Sequence, residues 1–457
     1  MGDLRAQIAS VRAGARHFLE LVEKHGRLGV QRAIEAIMDH SDAVARDRVR
    51  AIPDGVYRAE SFMDDDGVEA GQRIPIRVKV EVAGERMTID LTDVSEQVRG
   101  FYNSGMTAGL SCCQVAFKCL TSPLDYPIND GSFRSLDIVL PPGRVVSAVK
   151  PAAMRWWMTF PMTVVDTIFK ALAPVMPDQT IAGHHADLVV ANVNGYRPQD
   201  GGLFIYVGGL IGGGWGAKKT EDGLSATIAI NDGDTHNGPS EQVEVKYPLL
   251  VEEYALRQDT GGAGRQRGGM GTRQTVRALG DVMFNAQVER VHCRPWGLEG
   301  ALSGAGNVVE LHRADGEHLR FPSGKVMAYR LQPGDKYTLM SGGGGGFGDP
   351  LERDLAAVGH DLTQGYVSRE AAERLFGAVV DPETFAIDHD ASATRRLEMR
   401  AKGLPTDEDL LDIILGDDGA TIVSGDYESN GHGHTPPLPA TDDYELRLQL
   451  ALARRCC

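Results

Sequence analysis

An α+β fold is predicted, with an N-terminal helical hairpin, a mixed α/β middle and a glycine-rich C-terminal part built as a β-sandwich or barrel. Three observations carry this. Apolar residues recur every three or four positions through the first 50 residues. From Val56 the period switches to two. Glycine is abundant, at 55 of 457 residues against an average of about 7%, and it concentrates in short loops between apolar runs.

The elements follow in order. Leu4, Ile8, Val11, Ala15, Phe18 and Val22 mark one face of a first helix. After Gly26 and Gly29, Val30, Ile34, Ile37 and Val44 mark a second. Pro53-Asp54-Gly55 is a turn signal that closes this hairpin, residues 1–55, which is expected to pack on something else. Residues 56–256 read as a mixed α+β core. Ile74 to Val82 alternates, Ala83-Gly84-Glu85 turns, and Met87 to Leu91 alternates again, which is a hairpin pattern. Ala108 to Thr121 reads as a buried helix, and a further helix is expected near Thr163–Leu172. Residues 257–350 read as mainly β, with glycines at the turns, and residues 351–415 as helical. Residues 416–457 combine Gly, Asp, His and Pro with little periodicity, and read as a loop or disordered tail.

The net charge of −16 argues against sequence-independent nucleic-acid binding, which needs clustered cations, and against docking on an anionic membrane. No stretch reaches the roughly 20 apolar residues that span a bilayer. The N-terminus has no apolar core of a signal peptide, and the six cysteines form no Cys-x-x-Cys pair or disulfide framework. A cytoplasmic protein is expected.

Common catalytic motifs are absent. The nearest approach to a nucleotide phosphate loop, Gly212 to Thr220, has Ala217 where glycine must precede the lysine, so any ATP used is expected on another polypeptide. Three constellations remain. His184-His185-Ala186-Asp187 carries two imidazoles and a carboxylate that could ligate a divalent metal, although neighbours on a strand point to opposite faces. The polar loop Asn231 to Pro239, with Glu241 beyond it, combines a histidine, carboxylates and amides. There His236 is the candidate general acid/base, oriented by Asp234, with Glu241 as a further catalytic carboxylate. Asn237 and Trp215 are the candidate substrate contacts. Finally, Ser341 to Pro350 contains five consecutive glycines, which suit an anion-binding concavity, a close approach of backbone to a neighbour or, more simply, a turn.

Several stretches, in order, resemble the hydantoinase B/oxoprolinase family. They are Gly2-Asp-Leu-Arg-Ala-Gln-Ile-Ala, Pro53 to Tyr57, Asp64 to Gly67, Pro127 to Gly131, Tyr247-Pro-Leu and Asp259 to Gly271. Pro295 to Gly300, Gly342 to Pro350 and Gly365 to Ala372 complete the set. The resemblance implies an enzyme subunit in a hetero-oligomer with an A-type partner that binds ATP. In that scheme phosphorylation activates a small-molecule substrate, and the B-type subunit completes the reaction. The resemblance leaves open whether that reaction opens a cyclic amide, such as 5-oxoproline or a hydantoin, or carboxylates a ketone of the acetone or acetophenone kind. A non-catalytic scaffold subunit is the third reading. In family members the Gly-Asp-Leu-Arg motif follows a leading segment that supplies metal ligands. Here it stands at residue 2, so no ligand is carried over from that segment.

Overall fold

The computed structural model describes residues 1–69, 71–122, 127–154, 159–230, 235, 237–415 and 420–423. The chain divides into two compact units: Met1–Phe62 with Pro75–Thr180, and Met63–Ile74 with Ile181–Cys457. No helix among the described residues is long and apolar enough to cross a membrane.

In the first unit, helices α1 (Gly2–His25) and α2 (Arg27–Arg50) meet at Gly26, whose φ of 73° suits glycine. The expected helices are present. No residue of α1 is buried, however, and Leu4, Ile8, Val11 and Phe18 of its apolar stripe are exposed. Only the last turns of α2, through Ser41, Ala45 and Val49, reach the interior. Strands β1 (Gly55–Met63), β2 (Ile74–Ala83), β3 (Arg86–Asp90) and, after helix α3 (Met106–Thr121), β4 (Leu136–Val139) form a sheet in the order β1-β2-β3-β4. Period-two burial along β2 puts Ile74, Ile76, Val78, Val80 and Val82 inside, as alternation requires. Helix α4 (Thr159–Leu172) completes this unit. Within α3, a Cβ on Gly109 would stand 2.3 Å from the Val146 carbonyl oxygen, so only glycine permits the helix to lie this close.

The described residues of the second unit form two sheets. One, ordered β12-β9-β5-β6, contains β5 (Val190–Tyr196), β6 (Leu203–Gly209), β9 (Val282–Val288) and β12 (Gly324–Leu331). The other follows helix α5 (Ser240–Lys246) and is ordered β14-β11-β10-β13-β8-β7. Its strands are β7 (Leu249–Leu256), β8 (Thr272–Ala278), β10 (Val308–His312), β11 (His318–Arg320), β13 (Lys336–Met340) and β14 (Thr421–Ile422). Both sheets feed one apolar cluster, with Val193, Phe284, Ala286 and Val326 from the first and Val276, Val309, Leu311 and Leu339 from the second. Phe284 and Tyr337 stack across it with centroids 4.8 Å apart. Helices α6 (Leu355–Thr363), α7 (Arg369–Arg374), α8 (His389–Lys402) and α9 (Asp407–Leu415) follow. A satellite cluster around Leu375, Phe376 and Leu410 gathers beneath them.

Beside the sheets, glycine-rich segments run through the interior, hydrogen-bonded largely to one another. Gly214 donates to Gly342 O (2.9 Å), Gly262 to Gly344 O (2.8 Å), Gly344 to Gly269 O (3.0 Å), and Gly346 to Leu302 O (3.0 Å). Gly342 to Gly346 are all buried, and none has a positive φ. The glycine run is therefore neither a turn nor an anion cradle. The amides of Gly344, Gly345 and Gly346 donate to backbone carbonyls and that of Gly342 to Asn307 Oδ1, so they are unavailable to a phosphate.

Candidate functional site

Residues 181–189 thread along this glycine bundle before β5 begins. His185 N donates to Gly214 O (2.9 Å) and Gly183 N to Trp296 O (2.9 Å). The strand rule that separates neighbouring side chains does not apply here, because these residues are not in a strand. The His184 and His185 rings stand edge to face with centroids 6.0 Å apart, and His184 meets the Trp215 ring in the same way at 6.0 Å. Trp215 itself donates from Nε1 to Ile228 O (2.7 Å). Ala186 (φ 44°), Val189 (φ 48°) and Arg290 (φ 56°) all occupy the left-handed region, which costs of order 1–3 kcal/mol for each such residue. Strain of this kind persists only where the surroundings over-determine it.

A network of buried charge adjoins the histidines. Asp64 Oδ1 accepts from His292 N (3.0 Å) and Cys293 N (2.8 Å), and its Oδ2 accepts from Val291 N (2.7 Å). Glu289 Oε2 accepts from Asp64 N (3.0 Å). Lys325 Nζ pairs with Glu289 and lies 3.4 Å from Asp65 Oδ1, with all three side chains at most 3% exposed. Asp187 Oδ2 accepts from Glu289 N (3.0 Å) and Asn307 Nδ2 (3.3 Å). The Arg290 guanidinium lies 5.0 Å from the centre of the Trp296 ring.

Burial sets the protonation of these groups. It pushes Asp187 up to about 7, against the pull of the Glu289, Leu188 and Val189 amides. It also pushes Glu289 up to about 8; Lys325 pulls the other way and Asp64 adds repulsion. Burial opposes charge on Lys325 too, but Glu289, Asp65 and Asp64 more than offset it and hold the ammonium protonated. Asp64 stays below the usual range despite burial, because Lys325 and the Cys293 and Val291 amides favour its charged form. His185 is driven well below the ordinary imidazole range by desolvation, with His184 and Arg290 adding to the effect. Neither of its ring nitrogens has a hydrogen-bond partner among the described residues. The buried region thus holds a neutral imidazole at His185 and, at Asp187 and Glu289, two carboxyls that burial shifts toward neutral pH, a pattern found at functional sites.

The residues singled out from sequence are distributed as follows. His184, His185, Trp215 and Asp187 lie along this buried region. Asp187 is turned onto backbone amides, and it does not join the two imidazoles in a set of converging ligand atoms. Asn237 is exposed and donates to Tyr254 Oη (2.6 Å), while Glu241 is exposed in the first turn of α5. His236 and Asp234 lie outside the described residues. Sequence reasoning missed Asp65, Glu289, Arg290, Asn307 and Lys325. The available signals were the acid run Asp64-Asp-Asp and a lysine inside the apolar stretch that became β12.

The family model described as Hydantoinase B/oxoprolinase matches residues 1–350. A Pseudomonas sp. (strain NS671) protein named as the B component of a D-/L-hydantoinase is 32% identical over 392 residues, covering 83% of this chain and 65% of that relative. The beta component of the caprolactamase of Pseudomonas jessenii is 32% identical over 393 residues, covering 83% and 66%. The chain therefore spans just under two-thirds of the length of both relatives. The crystal structure of the ATP-dependent caprolactamase from Pseudomonas jessenii superposes with a TM-score of 0.79 at 28% identity, covering 87% of this chain and 69% of that one. With its ordered motifs, its two-sheet second unit and a family match over most of its length, the chain belongs to the hydantoinase B/oxoprolinase family.

Proposed function

We propose that this chain works as the B-type component of an ATP-dependent enzyme that hydrolyses a cyclic amide of the hydantoin, 5-oxoproline or lactam kind. It would do so in complex with an A-type partner that binds ATP. The observation that carries the reading is the pair of relatives at 32% identity whose names denote hydantoin and caprolactam hydrolases. The engaged amides of Gly342, Gly344, Gly345 and Gly346 agree with ATP being held elsewhere. An unstrained amide is a poor electrophile, and phosphoryl transfer from ATP supplies the leaving group that makes it reactive.

In this scheme the chain's own residues handle protons and position the substrate. Asp187 and Glu289, held protonated to about 7 and 8 by burial, are the proton store. His185 is the neutral proton acceptor of this scheme. Trp215 and Asn237 contact the substrate, and His236, oriented by Asp234 with Glu241 nearby in sequence, is the general acid/base. Replacing His236 with Ala in the assembled complex is expected to lower kcat by about 10² or more. His185→Phe keeps the planar shape but removes two unsatisfied buried nitrogens. We expect it to gain about 1 kcal/mol of stability while losing turnover, because removing a buried unpaired polar group relieves its desolvation. A histidine with a purely structural role would instead lose stability on replacement and leave turnover per folded molecule unchanged. That result would remove His185 from the site.

A further inference from the structure

On the six-stranded sheet of the second unit, the turn after β10 brings His318 directly opposite His312, with Glu310 two residues back on the same face. The imidazoles stack with centroids 4.2 Å apart. Glu310 Oε2 lies 3.2 Å from His318 Nε2 and 3.7 Å from His312 Nε2. Buried His318 Nε2 nevertheless has no hydrogen-bond partner, so no proton is aligned between it and the carboxylate. The other oxygen, Glu310 Oε1, accepts from Arg320 Nε (2.9 Å) and Nη2 (2.6 Å), which fixes the carboxylate with Oε2 turned toward both rings. Among the described residues this is the one set of three such groups whose ligand atoms all lie within 4.8 Å of one another.

We propose that Glu310, His312 and His318 bind one divalent transition-metal ion, of which Zn²⁺ fits the donors best. Zinc holds imidazole nitrogen and carboxylate oxygen at about 2.0–2.2 Å, so neighbouring ligands in a tetrahedral shell stand about 3.3–3.5 Å apart. The two measured separations bracket that value, so small side-chain rotations close the shell. Two nitrogens and one oxygen favour Zn²⁺, Co²⁺ or Ni²⁺ over Mg²⁺ or Ca²⁺, which take oxygen. Both histidines are partly exposed, which leaves water as the fourth ligand. The flanking cations are themselves paired, Lys336 with Glu252 (2.7 Å) and Arg273 with Glu253 (3.2 Å), so their charge toward the ion is reduced. The ion would clip the three-residue β11 to β10.

The test uses the untagged full chain, stripped by chelator and titrated with Zn²⁺ against a chromophoric competitor. One equivalent is expected, and Zn²⁺ should raise Tm. His312→Gln and His318→Gln should each weaken binding at least about tenfold, the loss typical even for residues outside the first coordination shell. Metal-free circular dichroism should match the wild type, and His292→Gln should bind normally. X-ray absorption of the zinc-loaded wild type needs no variant and should show two imidazoles and one carboxylate. Unchanged binding in both His→Gln variants, a shell containing sulfur, or no zinc bound by the wild type would each overturn the site.

Discussion

Replacing Lys325 with Met should cost the chain about 3–5 kcal/mol, the loss seen when one partner of a buried ion pair is removed. Met matches the length of the lysine stem, so packing is nearly conserved and the deficit is electrostatic. Lys325 is the cation on which Glu289 and Asp65 converge, and Asp64 also depends on it. Without it the carboxylates are left with backbone amides alone, and Glu289, already protonated up to about 8, must keep its proton to higher pH still. The pH dependence follows from that. A carboxyl whose folded pKa is raised favours the folded state below its unfolded pKa, and that advantage is lost as pH climbs through the folded value. With Glu289 already near 8 and rising further in the variant, the deficit of Lys325→Met should be smaller at pH 5 than at pH 8 in urea unfolding. Adding Glu289→Leu should recover part of the loss at pH 8. Equal deficits at both pH values would show that Lys325 contributes packing rather than charge.

Gly344→Ala is expected to be at least as severe, at about 4 kcal/mol or more, above the roughly 1–3 kcal/mol usual for overpacking because backbone rather than side chains must yield. The added methyl would stand 1.9 Å from Trp215 O, 2.2 Å from Trp215 C and 2.6 Å from Gly216 N. Every atom it meets is backbone, so no rotamer change can relieve the clash. Yielding would break the bonds from Gly262 N to Gly344 O and from Gly344 N to Gly269 O, and with them the register of the bundle. Gly14→Ala is the matched control. It lies in α1 with nothing within 4 Å of a new Cβ, and it should gain about 0.5–1 kcal/mol of helix stability. Soluble yield and urea midpoint of the two variants would separate these outcomes, and a folded Gly344→Ala with wild-type stability would contradict the bundle.

The regular elements were legible because their signals are local. The alternation from Ile74 to Val82 gave β2 outright, and the small apolar run from Ala108 gave α3. The glycine bundle was legible only in part: close backbone approach is one of three readings the run Gly342 to Gly346 allows, and the segments it meets are not in the pattern. A glycine required for positive φ and one required for close backbone approach look the same in sequence, and Gly342 to Gly346 are of the second kind. The apolar stripe of α1 was read correctly as a helix face, but periodicity does not say whether such a face is covered, and here it is exposed. For the site, adjacency drew attention to His184 and His185. The charge network stayed hidden because its members are distant in sequence, Asp64 and Glu289 being 225 positions apart. Glu310, His312 and His318 were overlooked for a related reason. Their convergence depends on the register of β10 with β11, which no residue pattern announces by itself.

We propose above that this chain completes ATP-coupled opening of a cyclic amide. The most direct measurement reconstitutes it with its A-type partner and counts ADP formed against ring-opened product, over a panel of 5-oxoproline, hydantoin and a lactam. Acetone with bicarbonate serves as the comparison substrate. Product is expected from one of the cyclic amides, with strict dependence on ATP and on this chain and a fixed ratio of ADP to product. Carboxylated ketone instead, or ring opening that proceeds unchanged without this chain, would contradict the proposal.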